Sequence, residues 1–181
     1  MRNFGESGSG DDRYRTGLAA DILNLIALIQ TQGQTGIFSS LNADKIGLWA
    51  HSMGGEVALR VITISNQVDA TVLYAPMSGD LTKNATFINS QIELDTPPYL
   101  IPAISIQPSY NLITSPIKLF HGTSDPIVPV SWSKETCATL EALGKEINCT
   151  FVEGGKHTFN GTQESDFERS YFYFFETHLK P

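Results

Sequence analysis

One stretch restricts the architecture more than any other. An apolar run, Lys45-Ile-Gly-Leu-Trp-Ala50, leads into His51-Ser-Met-Gly-Gly55 and then a helix-forming run, Glu56-Val-Ala-Leu-Arg60. The order reads strand, tight turn, helix, with Ser52 at the turn. A sharp strand-to-helix turn pushes its central side chain out beyond the sheet edge and aims the first free N–H groups of the helix at whatever binds there. Such a turn crowds its neighbours, so the residues two before and two after the serine must be small. They are Ala50 and Gly54.

A serine hydroxyl is a poor nucleophile unless a histidine takes its proton and a carboxylate orients that histidine. Four histidines are available. His51 lies inside the turn, His121 ends an apolar run and His178 belongs to the C-terminal helical stretch. His157 follows the strand-like residues 150–153 in a glycine-rich loop, Gly154-Gly-Lys-His157, and is the candidate base. For the acid, Pro116-Ile-Lys-Leu-Phe-His121 reads as a buried strand followed by Gly122-Thr-Ser-Asp-Pro126. Pro126 disfavours helix at the residue before it and so holds Asp125 in a loop. Ser52, Asp125 and His157 each fall just after a strand, in that order.

These segments, with Arg2-Asn-Phe-Gly-Glu-Ser7, resemble the α/β-hydrolase superfamily. The likeness is to its esterase and prolyl-oligopeptidase-like branch, which includes dienelactone-hydrolase-like members. Ala50 stands where that pattern usually has glycine, a departure of one methyl. The resemblance implies Ser52 as nucleophile, His157 as general base and acid, Asp125 as the orienting carboxylate, and Met53 N–H as an oxyanion donor. It implies no cofactor and no metal. It also implies a sheet with three or four strands ahead of residue 2, so the fold expected here is an α/β-hydrolase fold truncated at the N-terminus.

Bulk properties narrow the classes. A chain of 181 residues suffices for one domain with a full core. A net charge of −7 and the lack of a basic cluster argue against a nucleic-acid or anionic-membrane partner. No run approaches membrane-spanning length, and the polar, glycine-rich residues 1–15 encode no signal peptide. Localisation is left unassigned. Asp11 and Asp12 sit among glycines without a third ligand in spacing and read as a solvated loop. Cys137 and Cys149 are open to two readings, a helix-to-strand disulfide or two buried thiols. The Asn-x-Thr matches at Asn84, Asn148 and Asn160 read as chance.

The pattern is strand–helix alternation, hence a parallel sheet flanked by helices. Leu18, Ile22, Leu25, Ile26 and Ile29 mark one face of a helix within residues 18–32. Residues 33–44 connect it to the strand at 45–50, and further strands are expected at 70–75, 116–121 and 150–153. Helices are expected at about 131–143 and 163–179, the last with an aromatic stripe (Phe167, Tyr171, Phe172, Phe174, Phe175) that reads as core. Residues 78–112, rich in proline, read as a short cap-like insertion with little regular structure. Within it Tyr99 and Leu100, together with His51 from the turn, are the candidate substrate-binding residues, and Phe87, Ile88, Ile92, Leu94, Ile101 and Ile104 would help to shape an acyl pocket. Glu56, Arg60 and Glu153 read as surface charges.

The function expected is a serine hydrolase cleaving small carboxylic esters through an acyl-enzyme. A prolyl-oligopeptidase-like peptidase comes second, because no propeller domain is encoded here, and a non-catalytic binding module third. With no earlier strand beside it, the strand at 45–50 would form an apolar sheet edge, so a homo-oligomer through that edge is expected.

Overall fold

The computed structural model describes residues 1–10, 12–32, 35–36 and 39–180. Asp11, part of the connector after the first helix, and the side chain of Ile92 lie outside the described residues. A 3-10 turn, Arg13–Arg15, leads into α1 (Thr16–Gln32). The order then runs β1 (Gly47–His51), α2 (Met53–Ile64), β2 (Ala70–Tyr74), α3 (Leu81–Phe87), α4 (Gln91–Leu94), α5 (Ile101–Ile104), a second 3-10 turn (Gln107–Leu112), β3 (Ile117–Gly122), α6 (Val130–Ala142), β4 (Ile147–Val152) and α7 (Gly161–Leu179).

The strands form one parallel sheet in the order β1-β2-β3-β4. β2 is buried along its whole length, as a central strand covered on both faces must be. Side chains alternate between two cores, as the period of two requires. Leu73 and Leu119 face a core shared with Leu18 and Ile26 of α1, Leu59 and Ile62 of α2, and Leu140 of α6. Val72, Tyr74 and Phe120 face a smaller aromatic core with Phe159 and Phe167. The aromatic stripe of α7 is core at Phe167 and packs on that core through Tyr171, Phe174 and Phe175. Phe172 departs from the expectation: at 58% exposure it lies on the outer face.

The register fixes where the loops emerge. His51 pairs with Tyr74, Tyr74 with Phe120 and Phe120 with Thr150, so the C-terminal ends of β1, β3 and β4 sit along one rim. In open parallel sheets that rim is where ligands bind. Among the described residues β1 lies at one edge of the sheet, with Trp49 45% exposed. At its start the side chains of Phe175 and Leu179 crowd Gly47.

Two expectations are corrected. Residues 78–112 hold three short helices rather than little regular structure. Asp80 caps α3 by accepting from the N–H groups of Thr82 and Lys83, and Pro97, Pro98 and Pro102 limit the later part of the segment to single turns. The segment's bonds run to α2, through Arg60 to the Ile104 carbonyl at 3.0 Å. They also run to the N-terminal turn, through Tyr14 to Thr96 at 2.8 Å, and to α6, through the Lys83–Glu135 ion pair.

Glu56 and Arg60 are not surface charges. Glu56 is 1% exposed and ion-paired to Arg15 and Arg60, while Arg15 also grips Glu93 with both terminal nitrogens at 3.0 Å. Burial pushes the Glu56 carboxyl up to about 7 against the pull of Arg15 and Arg60. Burial likewise opposes the charge on Arg15, but Glu56 and Glu93 hold that guanidinium above its ordinary value. Removing one member would leave an uncompensated buried charge, at a cost of about 3–5 kcal/mol.

A disulfide joins Cys137 of α6 to Cys149 of β4, which settles the two readings of those cysteines. Asn84 is fully buried and bonded to the backbone of Ser78 through both side-chain atoms, which removes it as a glycan acceptor in the folded chain.

Candidate active site

Ser52 occupies the turn between β1 and α2 with φ 56° and ψ −122°. This is a sparsely populated conformation for a residue with a Cβ, of the kind that persists only where the surroundings enforce it. The enforcement is visible: Ser52 N–H donates to the Tyr74 carbonyl at 2.9 Å, and the Ser52 carbonyl accepts from Gly55 N–H and Met77 N–H at 2.9 and 3.0 Å. A capping serine would be extended and would bond the helix N-terminus. Ser52 makes no such side-chain bond, so its hydroxyl does not serve as a helix cap. Met53 is the first residue of α2, within the turn whose N–H groups have no helical partner.

Crowding at the turn falls one residue later than expected. A Cβ added to Gly54 would meet the Ala50 methyl at an ordinary 3.9 Å, which explains why alanine is accepted at position 50. A Cβ added to Gly55 would lie 2.4 Å from Pro76 Cβ. Gly55, not Gly54, is the position that cannot carry a side chain.

Asp125 follows β3 and its side chain is wholly buried. Oδ1 accepts from Ile127 N–H at 2.8 Å and Val128 N–H at 3.0 Å. Oδ2 accepts from His157 Nδ1–H at 2.8 Å. Burial alone would raise this carboxyl. The bonds from His157, Ile127 and Val128 outweigh it and hold Asp125 below its ordinary value, hence ionised. The bond at Nδ1 leaves His157 Nε2 as the ring's acceptor, on a side chain that is 17% exposed.

The loop after β4 is latched to the loop after β3 by backbone contact. Thr123 N–H donates to the Val152 carbonyl and Ser124 N–H to the Gly155 carbonyl, both at 2.9 Å, while Gly154 N–H donates to Thr123 Oγ1. A Cβ on Gly122 would fall 2.1 Å from the Gly155 oxygen. Gly122 and Gly155 allow this contact, which sets His157 against Asp125.

His51, expected to touch substrate, lies beneath His157. Its Nε2–H donates to the His157 carbonyl at 3.0 Å, and its ring packs 4.6 Å from that of His157 and 4.5 Å from that of Tyr74. Burial holds its imidazole below the ordinary value, so it is a neutral support for the loop. Through this stack the turn carrying Ser52 and the loop carrying His157 sit side by side. Tyr99 is 79% exposed and Leu100 39%. The bonds that anchor their segment lead to the N-terminal turn, α2 and α6 rather than to this rim.

Sequence reasoning misses one residue of the site. His121 is completely buried, with Nε2 3.0 Å from Asp125 Oδ2 and Nδ1 2.7 Å from Ser133 Oγ. Its signal is a histidine closing an apolar strand four residues before the acid. Among the described residues no group of three or more His, Cys, Asp or Glu side chains could hold a metal ion, and no helix is long and apolar enough to cross a membrane.

Set against known proteins, the chain superposes on solved structures of hydrolase fold. The Pyrococcus horikoshii acylaminoacyl peptidase aligns with a TM-score of 0.72 at 24% identity, over 96% of this chain and 31% of that one. A Mycobacterium tuberculosis puromycin-hydrolyzing peptidase aligns with a TM-score of 0.71 at 18% identity, over 89% of this chain and 25% of that one. The Pyrococcus furiosus esterase Pf2001 aligns with a TM-score of 0.73 at 17% identity, over 99% of this chain and 69% of that one. The chain thus spans under a third of either peptidase. No curated protein matches it. At these identities the superpositions establish the parallel, helix-flanked α/β-hydrolase fold. The sequence itself matches the family model described as the prolyl oligopeptidase family over residues 8–181, and the chain belongs to that family.

Proposed function

We propose that this chain is a serine hydrolase of small carboxylic esters, with Ser52, His157 and Asp125 as its catalytic residues. The observation that carries the proposal is the Asp125–His157 bond at 2.8 Å on the rim where Ser52 is held in its strained turn. Asp125 fixes the His157 tautomer with Nε2 free to accept. His157 Nε2 takes the Ser52 Oγ proton as Oγ attacks the acyl carbon. The tetrahedral oxyanion accepts a bond from Met53 N–H; a donor of this kind contributes about 3 kcal/mol to the transition state. Collapse breaks the ester C–O bond, and His157 returns the proton to the departing alkoxide. Water then hydrolyses the acyl-enzyme by the same proton path. The cap-like segment, with Tyr99 and Leu100, is proposed to shape the acyl pocket.

A second reading, a peptidase, is supported by the family match and by the two peptidases among the similar structures. A fluorophosphonate probe, with p-nitrophenyl acetate and butyrate set against aminoacyl p-nitroanilides, separates the readings. Labelling at Ser52 with faster ester turnover is expected. Faster anilide turnover would favour the peptidase. An unlabelled Ser52, or parent-level hydrolysis in Ser52→Ala, His157→Ala or Asp125→Asn, would end the mechanism; single losses in such a unit remove several orders of magnitude.

A further inference from the structure

The carboxylate of Asp125 serves two imidazoles. Its Oδ2 lies 2.8 Å from His157 Nδ1 and 3.0 Å from His121 Nε2. His121 Nε2 also lies 3.0 Å from the Val128 carbonyl. Carboxylate and carbonyl oxygens only accept here, so Nε2 must carry the proton and be shared between them. Nδ1 is then an acceptor, and the Ser133 hydroxyl at 2.7 Å donates to it. Ser133 is itself buried in α6. The tautomer of His121 is therefore fixed at Nε2 by two oxygens that only accept, and the Ser133 hydroxyl turns to match it.

With Ile127 and Val128 N–H on Oδ1, all four acceptor positions of the carboxylate are used. The second imidazole completes the set, so that each oxygen of the carboxylate has two donors.

We propose that His121 is a positioning residue for the acid–base pair: as a neutral Nε2–H tautomer set by Asp125 and the Val128 carbonyl and braced at Nδ1 by Ser133, it fixes the Asp125 carboxylate and draws off part of the charge that the carboxylate presents to His157. The proposal rests on the assignment of Asp125 and His157 made above. The titratable groups facing the His121 ring are Asp125 on the loop after β3 and His157 on the loop after β4, with Ser133 as the contribution of α6. Burial pushes His121 below its ordinary value, in keeping with a ring that stays neutral while His157 cycles.

A second donor on Oδ2 weakens the pull of that oxygen on an imidazolium at His157. Losing it strengthens the pull and moves the acid limb of the pH–rate profile to higher pH. In His121→Met, which keeps bulk without a donor, the midpoint of the acid limb for p-nitrophenyl acetate is expected to rise by about half a pH unit. The kcat should fall roughly tenfold with KM held within about twofold, since the lost contact acts only through the base. His121→Gln carries an amide donor near the position of Nε2 and should restore both. A structural role would lower the melting temperature in both variants and leave the midpoint in place; that result would overturn the proposal.

Nitrogen-15 NMR of the parent protein gives a test independent of activity and of whether His121→Met folds. The expected signals are those of a neutral Nε2–H ring at His121, kept in Ser133→Ala because the Asp125 carboxylate and the Val128 carbonyl set the tautomer. An Nδ1–H tautomer, or a charged ring near neutral pH, would overturn the inference. If Asp125→Asn keeps parent activity, the ester mechanism fails while the NMR result still decides the contact. If Asp125→Asn is inactive and His121→Met leaves the acid limb unmoved, only the role of His121 fails.

Discussion

Gly122→Ala adds a single methyl and should disable the site. That methyl would lie 2.1 Å from the Gly155 oxygen, 2.3 Å from its carbonyl carbon and 2.7 Å from the Lys156 oxygen. All three are backbone atoms, so no side chain can swing aside. Reaching an ordinary contact of about 3.5 Å requires the loop after β4 to retreat by more than an ångström. The Ser124-to-Gly155 bond at 2.9 Å breaks in that movement, a loss of about 1 kcal/mol. Overpacking a tight contact adds about 1–3 kcal/mol. The loss of activity should be larger than stability alone explains, because the same movement lengthens the bond between His157 and Asp125. A misplacement of about 1 Å can cost on the order of a hundredfold in rate. The assay is kcat/KM for p-nitrophenyl acetate beside a thermal melt. Gly154→Ala is the control: it lies in the same loop at φ 67° with open space around it, so it should cost about 1–2 kcal/mol of strain and little activity. Parent-level turnover in Gly122→Ala would show that the latch between the loops does not position the base.

Burial depresses both His121 and His51, so the folded chain binds fewer protons than the unfolded one. Stability is complete above the ordinary histidine value of 6.5 and is lost as pH falls below it, with a slope of up to about 1.4 kcal/mol per pH unit for each group. Glu56 titrates with the opposite sign between 4.5 and about 7, but it is common to parent and variant. The difference in urea melts between the parent and His121→Gln from pH 8 to pH 5 therefore isolates His121, and parallel curves would sink the assignment. Tyr99→Ala and Leu100→Ala should shift the preference between acetate and butyrate esters; an unchanged ratio would place the acyl pocket elsewhere. Among the described residues β1 is an edge of the sheet, with Trp49 exposed, and we propose that it pairs with a second copy, since an edge strand is a template for another. Light scattering at micromolar concentration tests this, and an active monomer would refute it.

The range of an interaction along the chain decides whether the sequence reveals it. Strand–helix alternation is local, so the parallel sheet, the aromatic core under α7 and the loops bearing Ser52, Asp125 and His157 can be read from periodicity and glycine placement. The ends of β1 and β4 shift by a few residues from the expected ones, because pairing rather than propensity decides where a ladder stops. Glu56 and Arg60 look like surface charges on an exposed helix. Glu56 is buried and Arg60 largely so, because Arg15, distant in sequence, pairs with Glu56 and is itself held by Glu93. The proline-rich look of residues 78–112 masks three short helices, of which α3 is capped by Asp80.

The same reasoning explains why His121 escapes a reading of the sequence while His157 does not. His157, the proposed base, lies on a loop, where a histidine with no evident structural task stands out in the sequence. A buried histidine at the end of a strand is indistinguishable in sequence from a satisfied core residue, and its importance depends on two partners reached through the fold. One is Ser133, on the next helix; the other is Asp125, four residues on, brought back by the turn in which its N–H bonds the Gly122 carbonyl. The i, i+4 spacing carries meaning here only because β3 ends at Gly122 and the chain doubles back at once. Gly122 is thus bound by two constraints: it must let the loop after β4 approach, and it must end the strand where His121 and Asp125 can share an oxygen. A chain that met only the first would keep the latch and lose the second imidazole from the carboxylate.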